Sequence, residues 1–260
     1  MDIDGYKELA CRKDVSVRPA LSRAELARAY NLVDRRYTKE GLLPGDDYDA
    51  QYCHSYEETS PGQVTFVAIV DDTLVATASV MPDSQHGLSM DDPYRAELDA
   101  LRARGRTLSE VTMLATADQT PEGGLQMLLL LFKRLFDYAW FVLEANDVCV
   151  AVHPRHAPFY ENFLQFEPLG PRRPYSSVQN KPAVAKRLDL CRAKKRYRKS
   201  QQLWTIFFRN RTPVSLLRSG YQRKLQRAMP PSPSKSSARQ KGVSFGEPIF
   251  CARDPGWMMS

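Results

Sequence analysis

The sequence predicts an α/β fold, a mixed central sheet flanked by helices and followed by a basic, partly disordered C-terminal tail. Three observations carry this. First, Leu108 to Ala115, Asp147 to His153 and the apolar stretch between them read as strand, long helix, strand, an order that implies a parallel crossover. Second, a helix and a β-hairpin precede that unit, so strands of both directions share one sheet. Third, the charge divides sharply along the chain. From residue 191 there are 16 Lys and Arg against Glu247 and Asp254, a net +14, whereas residues 1–190 hold 21 basic and 28 acidic residues, a net −7. The division predicts an N-terminal domain over 1–190 and a basic extension over 191–260, disordered after about 230 where Pro, Ser and Lys dominate.

Taken in order, Val15 to Pro19 reads as a short strand, and Ser22-Arg23-Ala24-Glu25 is a capping-box signature. The helix that it opens places Leu26, Ala29, Tyr30 and Val33 on one face and ends near Gly41. Leu42 to Gly62 is a long polar loop. Val64 to Ile69 and Leu74 to Val80 flank Asp71-Asp72-Thr73 as a hairpin. A helix then starts at Asp92-Pro93, with Tyr94, Leu98 and Leu101 on one side, and stops at Gly105. In the next strand the period of two puts Leu108, Glu110, Thr112 and Leu114 on one face and Val111, Met113 and Ala115 on the other. Glu110 is the one carboxylate there. After the polar break Thr116 to Thr120, Pro121 suits a first helical position. The stripe Leu125, Leu128, Leu129, Phe132, Leu135, Phe136, Ala139, Trp140 and Leu143 follows at helical spacing. Its charges, Lys133, Arg134 and Asp137, favour a core helix over a membrane span. Beyond the strand ending at His153 come a turn and a short helix to Leu164, a passage through Pro168, Pro171 and Pro174, and a closing strand from Ala183 to Leu190. Trp204 to Phe208 is an apolar island with two readings, docked on the domain or anchored at a membrane interface.

Five cysteines, at 11, 53, 149, 191 and 251, form no CxxC pair and suggest neither a disulfide framework nor a zinc site. The opening residues carry no apolar run of the secretory kind, so a cytoplasmic location is expected.

The chain resembles the GNAT acyltransferase superfamily, and within it the N-acyl amino acid synthases of the FeeM type, relatives of the acyl-homoserine-lactone autoinducer synthases. The resemblance rests on Thr65-Phe66-Val67-Ala68, Met81-Pro82-Asp83-Ser84, Gly87 to Asp91, Tyr94 to Asp99, Glu110 to Ala115, Pro154-Arg155-His156 with Phe159-Tyr160-Glu161, and Asn180 to Val184. It covers roughly residues 15 to 190 and leaves out the tail. It implies a GNAT fold and transfer of a long-chain acyl group to the α-amine of an amino acid. The donor is the thioester of an acyl carrier protein phosphopantetheine or of coenzyme A, and no cofactor is permanently bound. Asp46-Asp47-Tyr48-Asp49 matches the Asp-x-Tyr-Asp element of the autoinducer synthases. Met113 replaces the arginine that follows their Glu-x-Ser/Thr, which argues against lactone synthesis. The superfamily's pyrophosphate loop is matched only by Gln119, Gly123 and Gly124, which favours an acyl carrier protein as donor. Two alternatives remain open: a short-chain acetyl-coenzyme A-dependent N-acetyltransferase, and a non-catalytic protein whose tail holds a membrane or nucleic acid.

Aminolysis of a thioester needs a neutral amine, a stabilised oxyanion and a protonated leaving thiol. Glu110, desolvated on its strand, is a candidate proton acceptor, with a structural hydrogen-bonding role as the alternative. The resemblance assigns oxyanion stabilisation to a backbone N–H within Met113 to Ala115, places the acyl centre beside Thr112, Met113 and Leu114, and gives Tyr160 the protonation of the thiolate. Tyr160 packing into the core is the alternative. Asp46, Asp49 and His153 are candidate contacts to the acceptor, against plain turn and strand-end roles. His153 and His156 have no third ligand at zinc spacing, so packing is preferred to metal. For partners, the tail suits an acidic acyl carrier protein or the anionic inner membrane surface, while nucleic acid is not expected.

Overall fold

The computed structural model describes residues 3–12, 14–43, 62–118 and 124–209. Seven strands form one sheet: β1 (Val15–Pro19), β2 (Val64–Val70), β3 (Thr73–Pro82), β4 (Leu108–Thr116), β5 (Asp147–Val152), β6 (Glu167–Tyr175) and β7 (Lys181–Asp189). Their order is β1-β2-β3-β4-β5-β7-β6, and every neighbouring pair is antiparallel except β4 and β5. Helices α1 (Ile3–Cys11), α2 (Arg23–Lys39), α3 (Asp91–Arg102), α4 (Gly124–Phe141), α5 (Leu190–Tyr197) and α6 (Gln201–Trp204) join them, with π-helical turns over Phe159–Phe163 and Thr205–Arg209 and 3-10 turns over Pro154–His156 and Ser176–Val178.

Local chemistry explains these boundaries. Ser22 caps α2 by accepting the N–H of Glu25 at 3.1 Å, and Glu25 reaches back to the N–H of Leu21 at 2.7 Å while clamping Arg18 through two 2.8 Å bonds. The β2–β3 hairpin turns through Asp71 and Asp72, both at positive φ, as a two-residue loop demands. The parallel β4–α4–β5 crossover is present as its sequence implies.

Helices α2 and α3 cover one sheet face and α4 the other. On the α4 face, Phe66, Val80, Val111, Val148 and Leu188 meet Leu131, Phe132 and Leu135 in the largest core. On the opposite face, α3 builds a cluster of Met81, Met90, Tyr94, Leu98, Leu108 and Cys149, and α2 packs Leu26, Tyr30 and Val33 on Met113 and Ala115.

Three features depart from the expectations. The buried surface of α4 is wider than the stripe: Met127, Leu130 and Tyr138 are buried too, whereas Leu125 is exposed. Helix α1 packs on α4, buries Tyr6 and Leu9 in the same core, and donates the Tyr6 hydroxyl to the Ile206 carbonyl at 3.2 Å, while Tyr138 meets Phe66 of β2 edge-on. The proline passage after Glu167 is strand β6. It tolerates Pro168, Pro171 and Pro174 because it is an edge, paired only to β7 and broken by register shifts. Finally, the packed unit does not stop at residue 190. Ala193, Tyr197, Leu203, Ile206 and Phe207 lie in the largest core, Phe207 stacks on Phe136, and the Tyr197 hydroxyl donates to the Leu164 carbonyl at 2.5 Å. The apolar island therefore docks on the domain. Among the described residues, no helix is long and apolar enough to cross a membrane.

Candidate active site

Strands β4 and β5 pair only over Leu108–Glu110 against Asp147–Cys149. Beyond that they run on without each other, so the sheet opens into a cleft whose walls are Val111–Thr116 and Val150–Val152. The wall on β4 is bent by a bulge. Thr112 stands opposite Ser79 and Ala115 opposite Thr77, so Met113 and Leu114 together face Ala78. Met113 takes the left-handed conformation, φ 54, at a cost of roughly 1–2 kcal/mol for a residue with a Cβ. Packing repays this. The Met113 side chain is buried with Leu26, Tyr30 and Val33, and its sulfur accepts from Ser79 Oγ at 3.8 Å and Gln63 Nε2 at 3.9 Å.

The bulge corrects the expected alternation. Glu110 and Thr112 share their face with Met113 and Ala115, while Leu114 turns to the α4 side with Val111. One extra residue exchanges every later side chain between faces. Thr112 and Leu114, both half-buried, thus address the cleft from opposite sides of the sheet.

Glu110 lies on the α3 face, 2% exposed, between Met81 on β3 and Cys149 on β5. Its Oε2 accepts the N–H of Met90 at 3.2 Å. Ser89 also faces the carboxylate, although its hydroxyl forms no bond of good geometry. Burial is the main force on this group and pushes its pKa to about 8. The Asp91 carboxylate pushes the same way, and the amides of Met90 and Ser89 oppose it. Asp91 is itself held below the usual carboxylate range by Arg102 and by the N–H of Leu88. The loop that carries these amides turns at Gly87, φ 76, where a Cβ would come within 2.6 Å of Asp91 Oδ2. Glu110 is three residues before the bulge, about 10 Å of strand. At that separation, any proton it takes from a group beside Met113 travels through water.

Tyr160 stands on the opposite face, in the π-helical turn after β5. It is 5% exposed and ringed by Phe132, Phe159 and Phe166, all roughly edge-on. Burial raises its pKa well above that of a free phenol, so the hydroxyl stays protonated. His153, the first residue past β5, accepts the N–H of Arg155 on Nδ1 at 3.2 Å. Burial and the charges of Arg155, Arg172 and Lys181 lower its pKa.

The C-terminus of α2 lies across the cleft mouth. Arg36 and Lys39 pair with Asp118, just past β4, and Glu40 pairs with Arg155, just past β5. Gly124 opens α4. Asp46, Asp49, Gln119 and Gly123 lie outside the described residues. Among the described residues no group of three side chains is placed to hold a metal. The charged strap of α2 and the bulge both escaped the sequence. The strap joins residues about eighty apart or more, and the only local trace of the bulge was a polar Thr112 followed by apolar residues.

The family model for N-acyl amino acid synthase FeeM matches residues 28–189, which include the bulge, Glu110, the cleft and Tyr160. The chain belongs to this family. It is an N-acyltransferase with the GNAT fold. The structure of FeeM, an N-acyl amino acid synthase from uncultured soil microbes, superposes with a TM-score of 0.60 at 27% identity, covering 70% of this chain and 93% of that one. Two acetyltransferase structures are similar at lower scores. A point mutant of the spermidine N-acetyltransferase SpeG from Vibrio cholerae is 12% identical with a TM-score of 0.48, over 71% of this chain and 99% of that one. The putative acetyltransferase yncA of Salmonella typhimurium, solved with acetyl-CoA, is 14% identical with a TM-score of 0.48, over 68% and 95%. No curated protein sequence matches.

Proposed function

We propose that the protein moves a long-chain acyl group from a thioester of acyl carrier protein or coenzyme A to the α-amine of an amino acid. The observation that carries this is the cleft between β4 and β5, with a raised-pKa carboxylate on one face and a protonated phenol on the other. The acceptor ammonium loses its proton through water to Glu110 in its ionised form, which grows in population as pH approaches about 8. The free amine attacks the thioester carbonyl beside Met113, and a C–N bond forms. The oxyanion accepts a hydrogen bond from a main-chain N–H of the bulge, which strand pairing with β5 leaves unused. The nitrogen of the intermediate releases its second proton to solvent, collapse breaks the C–S bond, and the leaving thiolate takes the Tyr160 proton, which solvent later restores. Thr112 and Leu114 line the acyl centre from the two faces, and Asp46 and Asp49 remain candidate acceptor contacts.

An acidic carrier protein is the donor favoured here. Helix α5 buries Leu190, Ala193 and Tyr197, leaving Arg192, Lys195 and, just beyond, Arg198 and Lys199 exposed as a basic surface. The full basic extension suits the same partner or an anionic inner membrane surface, where a long-chain product would partition. The test is mass spectrometry of reactions containing purified protein, a mixture of amino acids, and either dodecanoyl carrier protein, dodecanoyl-coenzyme A or acetyl-coenzyme A. N-dodecanoyl amino acids are the expected product. Acetylated amino acids alone, or no amide at all from folded protein, would overturn the proposal.

A further inference from the structure

On the face that carries Glu110, cations gather past the end of the cleft. Along β5 the residues of this face are Cys149 and Ala151, both packed in the Tyr94 cluster, and strand alternation puts His153 next in the row. Along β7 Ala185 belongs to the same cluster, so Ala183 and Lys181 follow on the same face. The turn between β6 and β7 brings Lys181 in through two successive left-handed residues, Gln179 (φ 57) and Asn180 (φ 55). Its amine lies over the end of α2, 3.6 Å from where a Cβ on Gly41 would stand.

Three cations, Arg155, Arg172 and Lys181, act on His153, and one carboxylate, Glu40, opposes them. Glu40 is already ion-paired with Arg155. Lys181 and Arg172 make no ion pair among the described residues. This positive corner sits in a 190-residue segment of net charge −7, so it is not a general property of the surface. Val152, at the cleft wall, stands opposite Val184, and Lys181 is three residues further, about 10 Å of strand. Lys181 thus starts about 10 Å of strand beyond the cleft wall, on the sheet face that carries Glu110. The donor's phosphate does not account for the corner, because the α4 N-terminus that suits a phosphate belongs to the opposite face.

We propose that Lys181, on the sheet face it shares with His153, receives the α-carboxylate of the acceptor and so selects amino acids over plain amines. The inference rests on the acyl-transfer reading above. Its recognition element is a charge-assisted hydrogen bond from the ammonium to the carboxylate, with the His153 Nε2–H, the proton position that its Nδ1 bond assigns, as a second donor.

The test measures binding as well as turnover. Calorimetry compares N-decanoyl-phenylalanine with N-decanoyl-phenethylamine, identical except for the carboxylate, on the parent, Lys181→Gln and Lys181→Arg. The parent should bind the carboxylate ligand roughly 10- to 100-fold more tightly, the range for a hydrogen bond to a charged group. Lys181→Gln should erase that preference while leaving the phenethylamide unchanged, and Lys181→Arg should restore most of it. A preference that survives Lys181→Gln, an equal loss for both ligands, or no binding of either ligand to the folded parent overturns the proposal. Acyl transfer to phenylalanine and phenethylamine runs alongside. If the binding preference depends on Lys181 but neither acceptor is acylated, the anion site stands and the proposed reaction falls.

Discussion

Replacing Glu110 by Gln should slow catalysis and stabilise the protein at high pH, and the second effect can be sized from the structure. The carboxyl group has an ordinary value of 4.5, and burial raises it to about 8. Between those values the folded state binds a proton that the unfolded state releases, so stability falls as pH rises through the window and levels off above about 8. The full window is worth roughly 5 kcal/mol, and the part between pH 6 and 9.5 roughly 3 kcal/mol. Gln keeps the shape and the acceptor for the Met90 N–H but has no proton to lose. Urea melts of parent and variant at pH 6, 7.5 and 9.5 cancel every other titration in their difference. The variant should gain about 3 kcal/mol on the parent across the range, while its acyl transfer falls about a hundredfold. Parallel stability curves would show that Glu110 is not held protonated by its burial. Turnover within a few-fold of the parent would remove it from proton transfer.

Three further outcomes follow from the same geometry. Ending the chain after Asp189 should abolish cooperative melting, because Leu203, Ile206 and Phe207 leave the core and each is worth about 1.5–3 kcal/mol of burial. Ending it after residue 213 should leave the melt unchanged, and a shorter chain that melts like the parent would restore a domain boundary at 190. Tyr160→Phe should keep the melting temperature within a few degrees while lowering turnover at least tenfold, since it deletes only the protonated hydroxyl; unchanged turnover assigns Tyr160 to packing alone. Gly87→Ala should destabilise the protein by at least about 1 kcal/mol in denaturant melts and shift the pH profile of acyl transfer, because the new methyl meets Asp91 in a left-handed turn that sets the Met90 amide over Glu110. A silent variant would mean that the loop does not position that amide.

Elements with their own local signal were legible. The Ser22 cap, the Asp71-Asp72 turn, the crossover around α4 and the isolated carboxylate of Glu110 all lie where their patterns put them. Helix α1 buries Tyr6 and Leu9, too short a pattern to stand out without the α4 surface on which they pack. Strand β6 was hidden by its prolines, which only its edge position permits. Residues 191–209 were hidden by composition: the charges that mark them as an extension sit on the outer side of helices whose inner side fills the core.

What the sequence by itself determined is the inventory: the strands and helices set by periodicity and caps, the division of charge, and the identity of Glu110 and Tyr160 as candidates for proton transfer. What only the tertiary structure decided is how these meet. Alternation is a rule of two along a regular strand. It could not foresee that Met113 would be held at positive φ by Leu26, Tyr30 and Val33 of another helix, which moves Leu114 to the far face. Nor could it set the pKa of Glu110, which depends on the Met90 loop closing over it, or bring Lys181 to the end of α2, some 140 positions earlier in the chain. The physical reason is common to all three. Burial, bulge and charge field are properties of surfaces assembled from distant segments, and they exist only once the chain has folded.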